Sequence, residues 1–187
     1  AFSEDNFLTL CDNLASFHEY LSSRPRGQKE QLPSLNLAMR RIVIDQAGQF
    51  NETYPYPAGE DAEFTTRIRL QGNSRIFDHE AYVFHKPQRS TIKDLYNHAH
   101  RLGRFSIKVD PQYKKSVKNS FLLSPWFLTI IFSPVLALGV IIKMVFQEKL
   151  APRYWRTLPV VFLTKQFWCF GAATTLRKGK MINEEAA

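Results

Sequence analysis

The sequence has 187 residues, is 44% hydrophobic and carries a formal net charge of +8; that length allows one ordinary globular domain. Its two cysteines, Cys11 and Cys169, lie in distant parts of the chain, which excludes a disulfide framework and agrees with a reducing compartment. The apolar residues are unevenly spread: 1–119 is mixed and polar, whereas 121–142 is almost continuously apolar, a run of about twenty residues that could span a hydrocarbon core.

In chain order, Ser3 can cap a first helix, with Glu4 and Asp5 in its first turn, where the helix dipole favours acids. Phe7, Leu10, Leu14, Phe17 and Leu21 recur at spacings of three and four and make one amphipathic face. His18 reads as a solvent-facing residue of that helix. The polar stretch 22–31, with Pro25 and Gly27, reads as a loop. Ile42-Val43-Ile44 is a short β-favouring run, and 48–52 is a turn. Pro55 and Pro57 keep 53–59 out of regular helix and central strand.

From Glu60 the pattern is helical: Phe64 and Ile68 share a face, and Gly72 is placed to end the helix. Arg75–Phe77 and Ala81–Phe84 read as short strands. Ser90 or Thr91 can cap the next helix, with Asp94 three residues after Thr91, as in a capping box. Ile92, Leu95, Ala99 and Leu102 form its apolar stripe, and Lys93, His98, His100, Arg101 and Arg104 its other faces. Such a helix could lie on a membrane surface or pack on the domain.

Two membrane segments are expected, at 121–146 and 158–176. Pro134 could bend the first into a re-entrant turn. The second carries Lys165, Gln166 and Trp168 near its middle. A charge there is costly unless buried against protein, so this segment either crosses the bilayer or lies in the interface. Lys108, Lys114, Lys115 and Lys118 precede the apolar run; Lys149, Arg153 and Arg156 follow it; Arg177, Lys178 and Lys180 come near the end. Clusters that track apolar boundaries suit anionic lipid head groups rather than a nucleic-acid groove.

The residues able to do chemistry are few. Glu60-Asp61-Ala62-Glu63 opens a helix after a Pro-rich turn. A carboxylate there is placed for general-base work at a cleft, although acids at helix starts also simply stabilise the helix. Asp61 and Glu63 are offset by two and diverge on a helix, so they do not share an ion. His98 and His100 diverge for the same reason. His79-Glu80 lacks the second histidine of a zinc-protease motif. His85 ends an apolar run just before Lys86-Pro87, at the rim where ligand sites of α/β folds gather. There is no Gly-rich phosphate loop and no Gly-x-Ser-x-Gly elbow, and neither cysteine has a catalytic context.

The ordered set 32–41 (LPSLNLAMRR), 48–52 (GQFNE), 59–64 (GEDAEF), Arg67, Gly72 and His85 resembles the C-terminal half of the catalytic domain of family 2 glycosyltransferases. The resemblance covers roughly 32–105. It implies an incomplete α/β domain of the GT-A fold over 1–105, a basic juxtamembrane linker over 106–120, membrane segments within 121–180 and a tail at 181–187. It also implies that the chain begins inside a larger protein whose nucleotide-binding half, with its Asp-x-Asp motif, lies upstream. Asp61 matches the family's catalytic base, which deprotonates an acceptor hydroxyl for inverting attack on a nucleotide-activated sugar. Glu60 matches the neighbouring acid. His85 matches a position that helps bind metal or diphosphate. Asn36 and Arg40 match the stretch lining the cleft, and Arg101 and Arg104 are carried over as substrate-binding residues. Mg²⁺ or Mn²⁺ is the implied cofactor, its main acidic ligands in the upstream half.

The implied partners are a nucleotide-sugar donor, a lipid-linked or glycan acceptor and membrane lipids, without nucleic acid, with the catalytic side at the cytoplasmic face of the cell membrane. Two departures narrow the resemblance. Gln49 and Asn51 replace residues of the family's usual Gly-Gly-Phe-Asp-Glu. Residues 98–105 (HAHRLGRF) stand where processive synthases carry Gln-x-x-Arg-Trp, which favours single-sugar transfer. The competing expectation is a non-catalytic or degenerate module that docks on acidic lipid or a partner protein.

Overall fold

The computed structural model describes residues 6–106 and 125–178. Ser3, most of the basic linker (107–120), Lys180 and the tail lie outside the described residues. The described residues are mostly helical, with one two-stranded sheet.

Helix α1 spans Phe7–Phe17 and is capped by Asn6, whose side-chain oxygen accepts the Thr9 N–H at 3.0 Å. Its face Leu10, Leu14 and Ala15 is buried, as is Leu21 beyond its end. The chain tightens into a 3₁₀ turn at His18–Tyr20. Strand β1, Gly27–Gln28, pairs antiparallel with β2, Ile76–Phe77, with Gly27 opposite Phe77. A second 3₁₀ turn, Ser34–Asn36, follows.

Helix α2 spans Arg41–Ala47 and takes in Ile42-Val43-Ile44, which the sequence presented as β-favouring. β preference depends on a pleated surface to pack against, and a helix serves this segment better. It turns Val43 and Ala47 together onto Phe64 and Ile68, while Ile42 is left exposed. Gly48, at φ 76°, ends α2 by donating its N–H to the Ile44 carbonyl. Helix α3 runs Glu60–Leu70, and Gly72 follows it at φ 83°. The expected strand 81–84 does not form a strand, and Tyr82, Val83 and Phe84 are exposed. Helix α4, Ile92–Ser106, starts with the expected box: Asp94 N–H donates to Thr91 Oγ1 at 3.2 Å, and Asp94 Oδ2 accepts the Thr91 N–H at 2.9 Å. Its buried face is Leu95, Ala99, Gly103 and Phe105; Ile92, expected in the stripe, is exposed.

The first apolar run is not one long helix. Helix α5, Trp126–Ile131, stops at Phe132, and helix α6, Ser133–Ile142, starts anew with Pro134 in its first turn. Proline has no N–H to continue the α5 ladder but suits the start of α6. A π-helical turn, Lys143–Gln147, follows, then helix α7, Ala151–Tyr154, a 3₁₀ turn, Trp155–Thr157, and helix α8, Leu158–Lys178. Among the described residues no helix is long and apolar enough to cross a membrane. The two segments expected at the membrane, 121–146 and 158–176, thus hold no crossing helix over their described residues. The first segment is broken at Phe132; α8 has the length, 21 residues, but Lys165, Gln166 and three threonines dilute its hydropathy.

Helix α8 instead packs along α4 and also meets α1, α5 and α6. The main core joins Leu10, Leu14 and Leu21 to Met144, Leu150, Tyr154 and Val161. Tyr54, Ala58 and Phe105 form a second cluster under the 53–59 turn. The C-terminal segment thereby forms one wall of the space described next.

Candidate functional site

A cavity of about 510 Å³ opens between the end of α1, the 31–35 loop, the start of α3, the 85–89 strip, α4 and α8. Four of the residues singled out from the sequence line it together: Glu60, Asp61, His85 and Arg101.

Asp61 owes its position to the turn before α3. Gly59 sits at φ 91°, and a Cβ there would come within 2.8 Å of the Phe105 carbonyl oxygen. Only glycine combines that backbone conformation with so close an approach to α4. The next turn of chain then starts α3, and Asp61 Oδ2 accepts the Ser34 N–H at 3.0 Å while Oδ1 accepts the Ala62 N–H at 2.8 Å. Two backbone donors thus fix the carboxylate, which has lone pairs to spare. Glu60 is half-buried, and its Oε2 has no hydrogen-bond partner. Burial raises its pKa, and the backbone contact that opposes this is accompanied by the Asp61 charge, which raises it further. Tyr20 also lines the cavity and donates to the Gln31 carbonyl at 2.9 Å; burial, with the Asp61 charge, pushes its pKa up to about 12.

His85 sits edge-on to Phe17, ring centroids 5.6 Å apart. Burial lowers its pKa, and Asp12 acts in the opposite direction. The strip that carries it is tied to α1. Asn13 Nδ2 donates to the His85 carbonyl at 3.1 Å, the Thr9 hydroxyl donates to the Pro87 carbonyl at 2.8 Å, and the Arg89 N–H donates to Thr9 Oγ1 at 3.2 Å. Asp12, 1% exposed, anchors the arrangement by pairing with Arg89 Nε at 3.0 Å and with His98 Nδ1 at 2.8 Å. No local pattern marks Asp12 for this role, because its partners are more than seventy residues away.

The opposite wall is cationic. Arg101 lies over the Tyr56 ring at 5.0 Å, and Lys165 enters from α8 beside Thr164 and Trp168. Lys165 is half-buried and makes no hydrogen bond or ion pair among the described residues. Burial pushes its ammonium pKa down to about 8. The sequence exposed this residue only as a charge misplaced in an apolar segment.

The remaining candidates lie elsewhere. Asn36 is exposed and lines a smaller adjoining cavity of about 250 Å³, which shares His85, Phe17 and Tyr20 with the first. Arg40 is exposed at the start of α2 and Arg104 lies over the Phe105 ring at 5.2 Å; neither lines either cavity. His100 stacks on Tyr96 and diverges from His98, as the offset of two requires.

His18 is not solvent-facing. It is 7% exposed, and its Nδ1 is 2.7 Å from Glu148 Oε2. The 3₁₀ turn after α1 rotates it inward toward the end of α6, which the helical spacing of 7–21 could not foretell. Burial lowers the His18 pKa, and the Glu148 hydrogen bond opposes this. Burial would raise the Glu148 pKa, but the His18 hydrogen bond and the charges of His18, Arg24 and Lys143 together bring it below the usual value.

The described residues do not complete a metal site at His85: no group of three metal-ligating side chains includes it. His85 could supply one imidazole ligand.

No family model, no curated protein and no solved structure matches this chain.

Proposed function

We propose that the chain is the C-terminal part of an inverting glycosyltransferase of the family 2 type, with the GT-A architecture that the sequence resemblance implies, and that it acts together with an upstream nucleotide-binding half. The whole enzyme moves a sugar from a nucleotide-sugar donor to a lipid-linked or glycan acceptor. The observation that carries this is the carboxylate of Asp61, held by two backbone N–H groups at the wall of a cavity of about 510 Å³, the size of an ordinary ligand site. A positioned carboxylate is what removal of a hydroxyl proton needs.

In the step, Asp61 takes the proton of the acceptor hydroxyl. The freed oxygen pair forms a bond to the anomeric carbon from the face opposite the departing nucleoside diphosphate. The anomeric carbon–phosphate oxygen bond breaks, and the nucleoside diphosphate leaves with that electron pair. Glu60, half-buried with an unpartnered carboxylate oxygen at the cavity, is placed to accept a hydrogen bond from the acceptor. Arg101 and Lys165 form a positive wall for the charge of a phosphate-bearing acceptor. A bound Mg²⁺ or Mn²⁺ would supply charge neutralisation at the departing diphosphate.

The protein is held at the cell membrane, with its catalytic side toward the cytoplasm. Support for the membrane comes from exposed Phe127, Ile131, Val135, Leu138, Ile142 and Phe146 on α5, α6 and the turn after them, near basic residues such as Arg153 and Arg156. The same side chains are what a non-catalytic lipid-docking module would use.

The test is release of nucleoside diphosphate from a panel of nucleotide sugars by membranes carrying the full-length protein, with Asp61→Asn in parallel. Release that depends on Asp61 supports sugar transfer. Equal release by the variant removes Asp61 as the base. No release from any donor with lipid acceptors supplied, together with salt-sensitive liposome binding, would favour the docking module.

A further inference from the structure

We propose that His18, Glu19 and Glu148 form a binding site for a first-row divalent transition metal, Zn²⁺ above all, which clamps the end of α1 to the turn that follows α6. This site is separate from the cavity of Asp61 and does not depend on the glycosyltransferase assignment.

The three side chains each bring a ligand atom to within 4.8 Å of the others. One imidazole and two carboxylates, with water in the fourth position, make a familiar Zn²⁺ donor set. Imidazole also favours such metals over Mg²⁺, which prefers an all-oxygen shell. A metal would draw these atoms in to about 2.0–2.2 Å from itself, a contraction of side chains and not of backbone.

A second observation points to a missing cation. The Glu148 side chain is 1% exposed, and its Oε1 has no hydrogen-bond partner. An orphaned carboxylate oxygen so deeply buried is costly and calls for a ligand. The nearest positive charge is Lys143 Nζ, 4.0 Å away, which pairs closely with Glu19 instead. Arg24 also approaches, but its Nη1 donates to the Glu148 main-chain carbonyl at 3.3 Å. Lys143 thus pairs with Glu19, and Arg24 and Lys165 act on the Glu148 carboxylate only through charge, so Glu148 Oε1 keeps no hydrogen-bond donor. Lys143 is 40% exposed and sits on a flexible stem, so it can swing to solvent when a metal enters. It marks the place where positive charge is wanted.

The backbone holds Glu148 in place at some cost. Lys149, next to it, has φ 54°, in the left-handed region that is strained for a non-glycine residue. The Glu148 N–H donates to the Lys143 carbonyl, and the Leu150 N–H to the Met144 carbonyl. The turn is thereby closed with the Glu148 side chain directed inward to His18.

The competing explanation is a buried ion-pair network without a metal. Titrating Zn²⁺ into the purified protein by calorimetry, with thermal unfolding in parallel, separates the two. A metal site predicts one saturable site in the wild type, a rise in Tm with Zn²⁺, and loss of both in His18→Ala and Glu19→Gln. It also predicts at least tenfold tighter binding in Lys143→Met, because the competing ammonium is gone. Glu19 is partly exposed, so its variant tests the site even if substitution of buried His18 unfolds the chain. No saturable binding in the wild type or in Lys143→Met would overturn the proposal. Binding that survives in Glu19→Gln and Lys143→Met unchanged would overturn it as well, by assigning the metal to other surface groups.

Discussion

The backbone N–H of Ser34 donates to Asp61 Oδ2 at 3.0 Å, so the candidate base also pins the loop that leads into the adjoining cavity. Function and local order are joined in one carboxylate, and two substitutions separate them. Asp61→Asn keeps an acceptor oxygen for Ser34, whereas Asp61→Ala does not. We expect Asp61→Ala to lower stability by about 1 kcal/mol, the usual worth of such a hydrogen bond, and Asp61→Asn to lower it less, because the amide keeps one of the two acceptor oxygens. Urea denaturation of both variants checks this, and equal stability of the two would show that the Ser34 contact contributes nothing.

Helices α4 and α8 meet at glycine. A Cβ on Gly103 would lie 1.9 Å from the Trp168 carbonyl oxygen, and one on Gly171 would lie 2.0 Å from the His100 carbonyl oxygen. Alanine normally improves a helix interior by about 1 kcal/mol over glycine. Here the obstacle is backbone, which no side-chain rotation relieves, and overpacking costs about 1–3 kcal/mol or more. Gly103→Ala and Gly171→Ala should each destabilise the protein, with a lowered Tm as the readout. A neutral or raised Tm would mean that the helices are not in this close contact.

Asp12 is buried between Arg89 and His98. Asp12→Ala leaves the Arg89 guanidinium without its counter-charge, and breaking a buried pair costs about 3–5 kcal/mol. The strip 85–89 should loosen from α1 at the same time. Faster amide exchange confined to that strip and the start of α4, beside a large fall in stability, is the expected result. Unchanged exchange there would separate Asp12 from the placement of His85.

Asp94 gives a pH dependence with a definite sign. Hydrogen bonds with the Thr91 side chain, then with the Thr91 and Ser90 N–H groups, lower its pKa from the ordinary 3.8. A carboxyl whose folded pKa is depressed adds stability that is complete above the unfolded value and is lost as pH falls through the folded one. Stability should therefore decline from about pH 4 downward in part through Asp94, and Asp94→Asn should flatten that decline. Unfolding midpoints of the two proteins between about pH 5 and about pH 2 provide the check. Parallel curves would deny Asp94 this role.

Local signals were legible wherever the partners are close in sequence. The Thr91–Asp94 box, the start of α3 at Glu60, and Gly72 after its end all follow from neighbours within a turn of helix, so pattern alone located them. The candidate carboxylates at 60–61 were visible for the same reason, since a Pro-rich turn and a glycine precede them. What the sequence could not decide depends on contacts across the chain. Ile42-Val43-Ile44 became helix because Phe64 and Ile68 offer a surface that suits a helical stripe, and among the described residues no strand pairs with it. The apolar run of α5 and α6, which pattern alone treats as one span, is divided at Phe132. His18 turned inward because Glu148, 130 residues later, comes to meet it. Lys165 became part of a cavity wall because two glycines let α8 approach α4 closely. Composition and spacing located most of the helices, though not α2, and the side chains that could carry charge or chemistry. Only the tertiary structure decided which of those side chains share a space, because packing brings together residues that no local periodicity relates.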